Sequence, residues 1–163
     1  ERRPGYISGY GEGFRENGGQ YTHAALWLSK ALFETGEPDY GYKVLNFILP
    51  EDISRYKAEP FVVAADVYTN KCNFGRGGWS WYTGAAGWMY RAAVEEILGM
   101  KKEGNEIWFE PRTGEEWAGF ELNYRFGKSL YRFHFKHTGS GGRQTRTRLV
   151  DDGKEHDIFI EYE

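Results

Sequence analysis

The chain has 163 residues, which suits one domain or two small units, and 40% of them are hydrophobic, enough for a core. A net charge of −3 without a basic stripe argues against a general nucleic-acid binder, which needs clustered cations to neutralise phosphates. The single cysteine, Cys72, excludes an internal disulfide and favours a reducing compartment, and no apolar run is long enough to span a bilayer. No signal peptide is evident, and the first residues, ERRPGYISGYGEGF, lack an initiator Met, so the chain reads as a piece of a longer protein. Aromatic residues make up 18%, which points to a face where rings stack on flat partners, or to a β-rich core.

Residues up to about Leu98 read as helices with glycine-rich connections. The first helix is expected from about Tyr21 to Glu34, with Ala24, Leu28, Ala31 and Leu32 at helical spacing and Ala25 and Trp27 widening the stripe. A helix so apolar asks for neighbours on several sides. Gly36 and Pro38 end it, and Pro38 starts a second helix with Tyr42, Leu45, Ile48 and Leu49 on one face, stopped by Pro50. Phe61–Tyr68 is ambiguous between strand and helix; Pro60 and the Ala pair decide for helix. The next helix presents Ala86, Tyr90, Ala93, Val94, Ile97 and Leu98, with Arg91, Glu95 and Glu96 outside, and Gly99 sits where a left-handed C-cap is wanted.

From about Lys101 the period becomes two. Phe120, Leu122, Tyr124 and Phe126 alternate with polar residues, Gly127-Lys128 turns the chain, and Tyr131, Phe133 and Phe135 alternate again, predicting a hairpin. A second hairpin is expected around Asp152-Gly153, joining TRTRLV to HDIFIEY. Helices followed by antiparallel strands give an α+β class: part of an all-α domain and part of a β-sandwich.

Two stretches carry possible chemistry. In GRGGWSWYTGAAGWMYRA, Thr83 is a good N-cap, so the N–H groups of Gly84, Ala85 and Ala86 open a helix and offer an anion site beside Trp79, Trp81 and Tyr82. The alternatives are an ordinary capped helix and rings that fill a core. In GEGFRENGGQYTHAALW, Arg15, Glu16, Asn17, Gln20 and His23 cluster at a helix entry and suit sugar hydroxyls or a phosphate oxygen. The alternative is loop capping: Asn17 or Thr22 caps the helix, Arg15 pairs with Glu16 or Glu12, and His23 is a satisfied buried polar group. No metal constellation is expected, because His134, His137 and His156 lack Cys or carboxylates at ligand spacing.

RENGGQYTHAALW, RYKAEPFVVAADVY and GRGGWSWYTGAAGWMYRAAVEEILGM together resemble the C-terminal part of the inverting glycoside phosphorylases, glycoside hydrolase family 94, which includes cellobiose and chitobiose phosphorylases. The likeness runs from about Gly5 to Tyr124 and points most to the phosphorylase-like region of cyclic β-1,2-glucan synthases. It implies that residues 1–99 are the last helices of an (α/α)6 barrel and that 100–163 form a small antiparallel, sandwich-like β-domain. It implies attack of inorganic phosphate, as co-substrate, on a terminal β-glucosyl unit to give α-glucose 1-phosphate, with no other cofactor. Carried onto this chain, His23, Thr83 and Gly84 match phosphate contacts and Glu16 matches a glutamate that binds the leaving sugar. Arg15, Gln20, Trp81 and Tyr82 are sugar-binding candidates. The general acid, an Asp, belongs to an earlier part of the barrel, so no catalytic residue is expected here. The family's sugar-contacting Gln near the position of Ala65 is missing, in keeping with the β-1,2-glucan branch.

The partners implied are a β-glucan or β-linked oligosaccharide, phosphate or glucose 1-phosphate, and the rest of a parent chain, without nucleic acid. The expected location is cytoplasmic, or the cytoplasmic face of a membrane-bound parent. Apolar faces left open predict self-association of the isolated chain, as a homo-oligomer or a soft globule. Two rivals stand beside this reading: a non-catalytic carbohydrate-binding or scaffold piece, and a plain glycoside hydrolase.

Overall fold

A computed structural model describes residues 4–49, 54, 57–81, 83–114, 116–139 and 146–163, with Thr83 described by its backbone alone. These residues form a mixed α+β structure of three α-helices and three small sheets, and the chain divides into two compact units, Glu1–Ala92 and Ala93–Glu163. The three helices do not by themselves close a barrel.

In the first unit, α1 (Thr22–Glu34) and α2 (Pro38–Phe47) form a helical hairpin. Pro38 opens α2, where its fixed φ and missing N–H suit the first turn. The helices approach closely because Gly41 has no side chain: a Cβ there would come within 2.7 Å of the Phe33 ring. Ser29 donates its hydroxyl proton to the Gly41 carbonyl across the contact, 2.7 Å. The buried stripe of α1 is therefore Thr22, Leu26, Ser29 and Phe33. This corrects the stripe expected from spacing: Leu28 is 54% exposed, Trp27 55%, and Ala24 and Ala31 also face outward. A helix apolar on most sides does not say which side its neighbour takes. On α2, Leu45 and Ile48 are buried as expected.

Phe61–Tyr68 is not helical. Val62–Ala64 lie in neither helix nor strand, and the chain then enters β2 (Asp66–Val67), which pairs antiparallel with β1 (Gln20–Tyr21) and β3 (Gly77–Gly78). The β-branched Val67 prefers this pleated backbone, and ladder partners on both sides of β2 outweigh the helix propensity of Ala64 and Ala65. The third helix, α3 (Thr83–Arg91), passes into a π-helical turn, Ala92–Ile97. The wider turn rotates the face that follows. Glu96 is consequently buried, 3.6 Å from Arg112, while Ala86 and Tyr90 of the expected apolar face are exposed. Gly99 adopts φ +67°, the left-handed conformation expected of it.

The second unit holds β4 (Met100–Glu103), β5 (Glu106–Phe109), β6 (Gly119–Phe126), β7 (Ser129–His137), β8 (Thr147–Arg148) and β9 (Glu155–Tyr162). The predicted hairpin is present: β6 pairs antiparallel with β7 from Gly119↔Lys136 to Phe126↔Ser129. The second is not. β8 instead pairs with β5, and β9 lies parallel to β7, from Leu130↔Glu155 to His137↔Tyr162, so this sheet is mixed rather than antiparallel. Asp151 and Asp152 redirect the chain. The Lys128 N–H donates to Asp151 Oδ1 at 2.7 Å, the Ser129 hydroxyl donates to Asp152 Oδ1 at 3.0 Å, and the N–H groups of Asp152 and Gly153 donate back to the Ser129 oxygen. The His156 ring first, and the Lys154 N–H and Ser129 hydroxyl with it, hold the Asp152 carboxyl at about 2. These bonds fasten the segment to the β6–β7 turn, so it crosses between sheets instead of folding back on itself.

Sheets β4-β5-β8 and β6-β7-β9 share one core of Ile107, Phe109, Tyr131, Phe133, Phe135, Leu149, Ile160 and Tyr162. Phe109 packs edge-on or tilted against Phe133 and Phe135, with centroids 4.7 and 4.9 Å apart. Phe133 is fully buried at the centre. Phe133→Ala removes that ring and is expected to lower stability by about 3–5 kcal/mol, read as a fall in the urea midpoint with an unchanged m-value.

Candidate functional site

The site is built on the β1-β2-β3 sheet and the turn that precedes it. Residues 11–19 fold into a tight loop closed by an isolated bridge between Phe14 and Asn17. The Gly13 N–H donates to the Asn17 carbonyl at 2.8 Å and the Gly19 N–H to the Arg15 carbonyl at 3.0 Å. Gly19 is required here, since a Cβ would lie 2.8 Å from the Arg15 oxygen. Arg15 itself is left-handed, φ +49°, which costs a non-glycine residue roughly 1–3 kcal/mol unless its surroundings enforce it.

The enforcing group is Asp66. Its carboxylate is wholly buried, and Oδ2 accepts the Arg15 backbone N–H at 2.8 Å. Burial pushes the Asp66 carboxyl above the ordinary carboxylate range, against the opposing pull of the Arg15 N–H and guanidinium. The Arg15 guanidinium lies among aromatic rings, 5.4 Å from the centroids of Tyr21 and Trp79 and 5.8 Å from Tyr10. Its Nε is 3.8 Å from Glu16 Oε2, and the Tyr6 hydroxyl lies 3.4 Å from Glu16 Oε1. The turn thus fixes Arg15 and Glu16 together.

Gln20 and His23 follow on β1 and the first turn of α1. The Thr22 hydroxyl donates to Gln20 Oε1 at 3.3 Å, so the Gln20 amide turns its nitrogen away. No side chain caps α1, which removes Asn17 and Thr22 as caps; Asn17 instead donates its amide proton to the Tyr10 carbonyl. His23 lies edge-on to Trp27, centroids 4.8 Å apart, and 5.9 Å from Trp88 on α3. Gly84 precedes Trp88 by one helical turn and shares its side of α3; among the described residues nothing lies within 4 Å of where a Gly84 Cβ would stand.

Buried polar atoms without hydrogen-bond partners gather on these residues: Glu16 Oε2, Gln20 Nε2, His23 Nε2 and Asp66 Oδ1. Native structures rarely leave such atoms unpaired, at a cost of about 1–3 kcal/mol each, unless water or a ligand completes them. Together they offer acceptors, an amide donor and an imidazole nitrogen, the set that binds hydroxyls and oxyanions.

Among the predicted residues, Arg15 and Glu16 touch each other, and Gln20 enters the same sheet as Asp66. His23 and Gly84 sit on the packed helices α1 and α3. Trp81 does not join this group: it is 75% exposed, at φ +67°, and bonds Glu59. Tyr82 and the Thr83 side chain lie outside the described residues. Asp66, Trp27 and Trp88 were missed as members of the site. The legible signal for Asp66 was a lone acid inside an apolar run, FVVAADVY.

Residues 1–99 match the glycosyl hydrolase 94 superfamily, catalytic domain. The chain belongs to this family. It is 40% identical over 146 residues to the cyclic beta-(1,2)-glucan synthase NdvB of Rhizobium meliloti (strain 1021), which covers 85% of the chain and 5% of the synthase. It is 26% identical over 132 residues to the N,N'-diacetylchitobiose phosphorylase of Vibrio proteolyticus, covering 78% of the chain and 16% of that enzyme. It is 28% identical over 165 aligned residues to the solabiose phosphorylase of Paenibacillus borealis, covering 95% and 21%. The chain therefore spans about a fifth or less of these glycosyl hydrolase 94 relatives. Among the described residues no helix is long and apolar enough to cross a membrane.

Asp66→Ala leaves the Arg15 N–H without its acceptor and is expected to cost about 1–3 kcal/mol, while Asp66→Asn keeps an acceptor and costs less. Because burial raises the folded-state value of Asp66, the native chain loses stability as pH rises from the ordinary carboxylate range through that raised value. Denaturant midpoints across mildly acidic pH should show this slope in the native chain and a flatter one in Asp66→Asn.

Proposed function

We propose that this chain supplies the phosphate and sugar contacts of an inverting glycoside phosphorylase that acts on β-linked glucans. Residues 1–99 would furnish the last helices of an (α/α)6 barrel and 100–163 its small β-domain. The apolar outer side of α1, with Trp27 and Leu28 more than half exposed, supports a barrel that sets further helices against it. The observation that carries the reading is the coincidence of two independent facts. The residues matched to the family's ligand contacts, Glu16 and His23, and the neighbouring Gln20, are among those whose buried polar atoms lack hydrogen bonds, and the others adjoin them.

The chemistry follows from those groups. Phosphate reaches the anomeric carbon as an ionised nucleophile, so no strong general base is needed, and the site must position it. His23 donates a hydrogen bond to one phosphate oxygen, the N–H groups opening α3 at Thr83 and Gly84 face another with the positive end of the helix dipole, and the Thr83 hydroxyl is the further donor that this reading assigns to phosphate. Glu16 accepts from hydroxyls of the leaving sugar, Gln20 donates through its free amide hydrogens, and the rings around Arg15 wall that side. An acid from elsewhere in the barrel protonates the leaving oxygen. The C–O bond to phosphate forms as the glycosidic bond breaks, giving α-glucose 1-phosphate and the shortened glucan. The exposed Cys72, free of a disulfide, accords with work in the cytoplasm or on the cytoplasmic face of a membrane-bound parent.

In the complete enzyme, His23→Ala and Thr83→Val are expected to raise the KM for phosphate about 10- to 100-fold, as loss of a hydrogen bond to a charged group does. Glu16→Gln should raise the KM for the sugar and leave that for phosphate nearly unchanged. Variants that bind oligosaccharide normally, in a protein that never turns over glucose 1-phosphate, would support the non-catalytic rival. Turnover to free glucose untouched by Thr83→Val would support the hydrolase.

A further inference from the structure

The tip of the β2–β3 hairpin has no part in the reading above. Lys57, Lys71 and Arg76 line one cavity of about 320 Å³ there, with Cys72, Asn73 and Phe74. Among the described residues no carboxylate lines it, and none forms an ion pair with any of the three cations. Three like charges around one concavity repel each other, and the arrangement concentrates anions from solution.

The tip is held by its own backbone. The Tyr68 N–H donates to the Arg76 carbonyl at 2.9 Å, the Gly75 N–H to the Tyr68 carbonyl at 2.9 Å, and the Asn73 N–H to Asn70 Oδ1 at 2.8 Å. Lys57 reaches in from outside the hairpin and donates to the Phe74 carbonyl at 2.8 Å, which anchors its ammonium and leaves two of its protons for a ligand. The planar fork of Arg76 suits two oxygens of one group, and the lysines add compact charge. The cavity has the volume of a small-molecule site.

We propose that this hairpin tip is a binding site for a multiply charged oxyanion, phosphate or a phosphate monoester, built from Lys57, Lys71 and Arg76. It uses none of the residues assigned to phosphate in the proposed function and does not depend on that assignment.

Cys72 is exposed at the cavity and reports on it. Its alkylation by neutral iodoacetamide is followed in this chain with added inorganic phosphate, with glucose 1-phosphate, and with sodium chloride at matched ionic strength. A ligand over the thiol at ten times its Kd slows labelling about tenfold. The expected result is slowing by phosphate or glucose 1-phosphate but not by chloride. That slowing should be retained in His23→Ala and lost in Lys71→Gln/Arg76→Gln. Equal potency of the two anions identifies the free dianion, and much greater potency of glucose 1-phosphate identifies a monoester. Labelling that neither anion slows beyond chloride overturns the proposal, as does full protection of the double variant. Protection that vanishes in His23→Ala also overturns it, because the anion would then act through the other site.

Discussion

The hydrogen bond from the Arg15 N–H to the buried Asp66 carboxylate is the constraint on which the first unit's site rests. A bond to a charged acceptor contributes about 1.5–3 kcal/mol, comparable with the cost of holding Arg15 left-handed. The two nearly cancel, so the turn is set by this contact rather than by local preference. It presents Arg15 to the rings of Tyr10, Tyr21 and Trp79 and leaves Glu16 beside it. Asp66 can serve only because β2 lies between β1 and β3, pairing with Tyr21 on one side and Gly78 on the other. Had Phe61–Tyr68 formed a helix, the carboxylate would not reach the turn.

The second unit depends on a similar device. Asp151 and Asp152 bind the turn between β6 and β7, and the chain then adds β9 parallel to β7. Parallel addition completes the inner face that buries Phe133, Phe135, Ile160 and Tyr162 in one cluster. In both units short polar side chains make bonds distant in sequence, and those bonds choose the topology that the apolar residues then fill.

This explains which parts of the structure were legible in the sequence. Strict alternation from Phe120 to Phe135 around Gly127-Lys128 left one arrangement, and the hairpin forms. Pro38 and Gly99 each have a conformational requirement that can be read locally, and both act as expected. The buried side of α1 was not legible, because Leu28 and Leu26 are chemically alike and only the partner helix distinguishes them. The crossover at Asp152-Gly153 was not legible either: the dipeptide suits a tight turn, and the competing bonds come from Ser129, 23 residues earlier. At the site, Arg15, Glu16, Gln20 and His23 stand out as polar groups at a helix entry, whereas Asp66 falls in the stretch Phe61–Tyr68, where Pro60 and the Ala pair suggest a helix. A residue that acts through a backbone N–H 51 positions away leaves no local pattern.

We propose that Glu16, Gln20, His23 and the opening of α3 bring a β-glucan and phosphate together for inversion. The most direct test is to incubate the complete enzyme with phosphate and a panel of β-linked gluco-oligosaccharides and read the product's anomeric configuration by NMR. The expected product is α-glucose 1-phosphate, formed in proportion to the phosphate consumed and sharply reduced in His23→Ala at low phosphate. Free glucose with no phosphate incorporated, or the β anomer of the sugar phosphate, would contradict it.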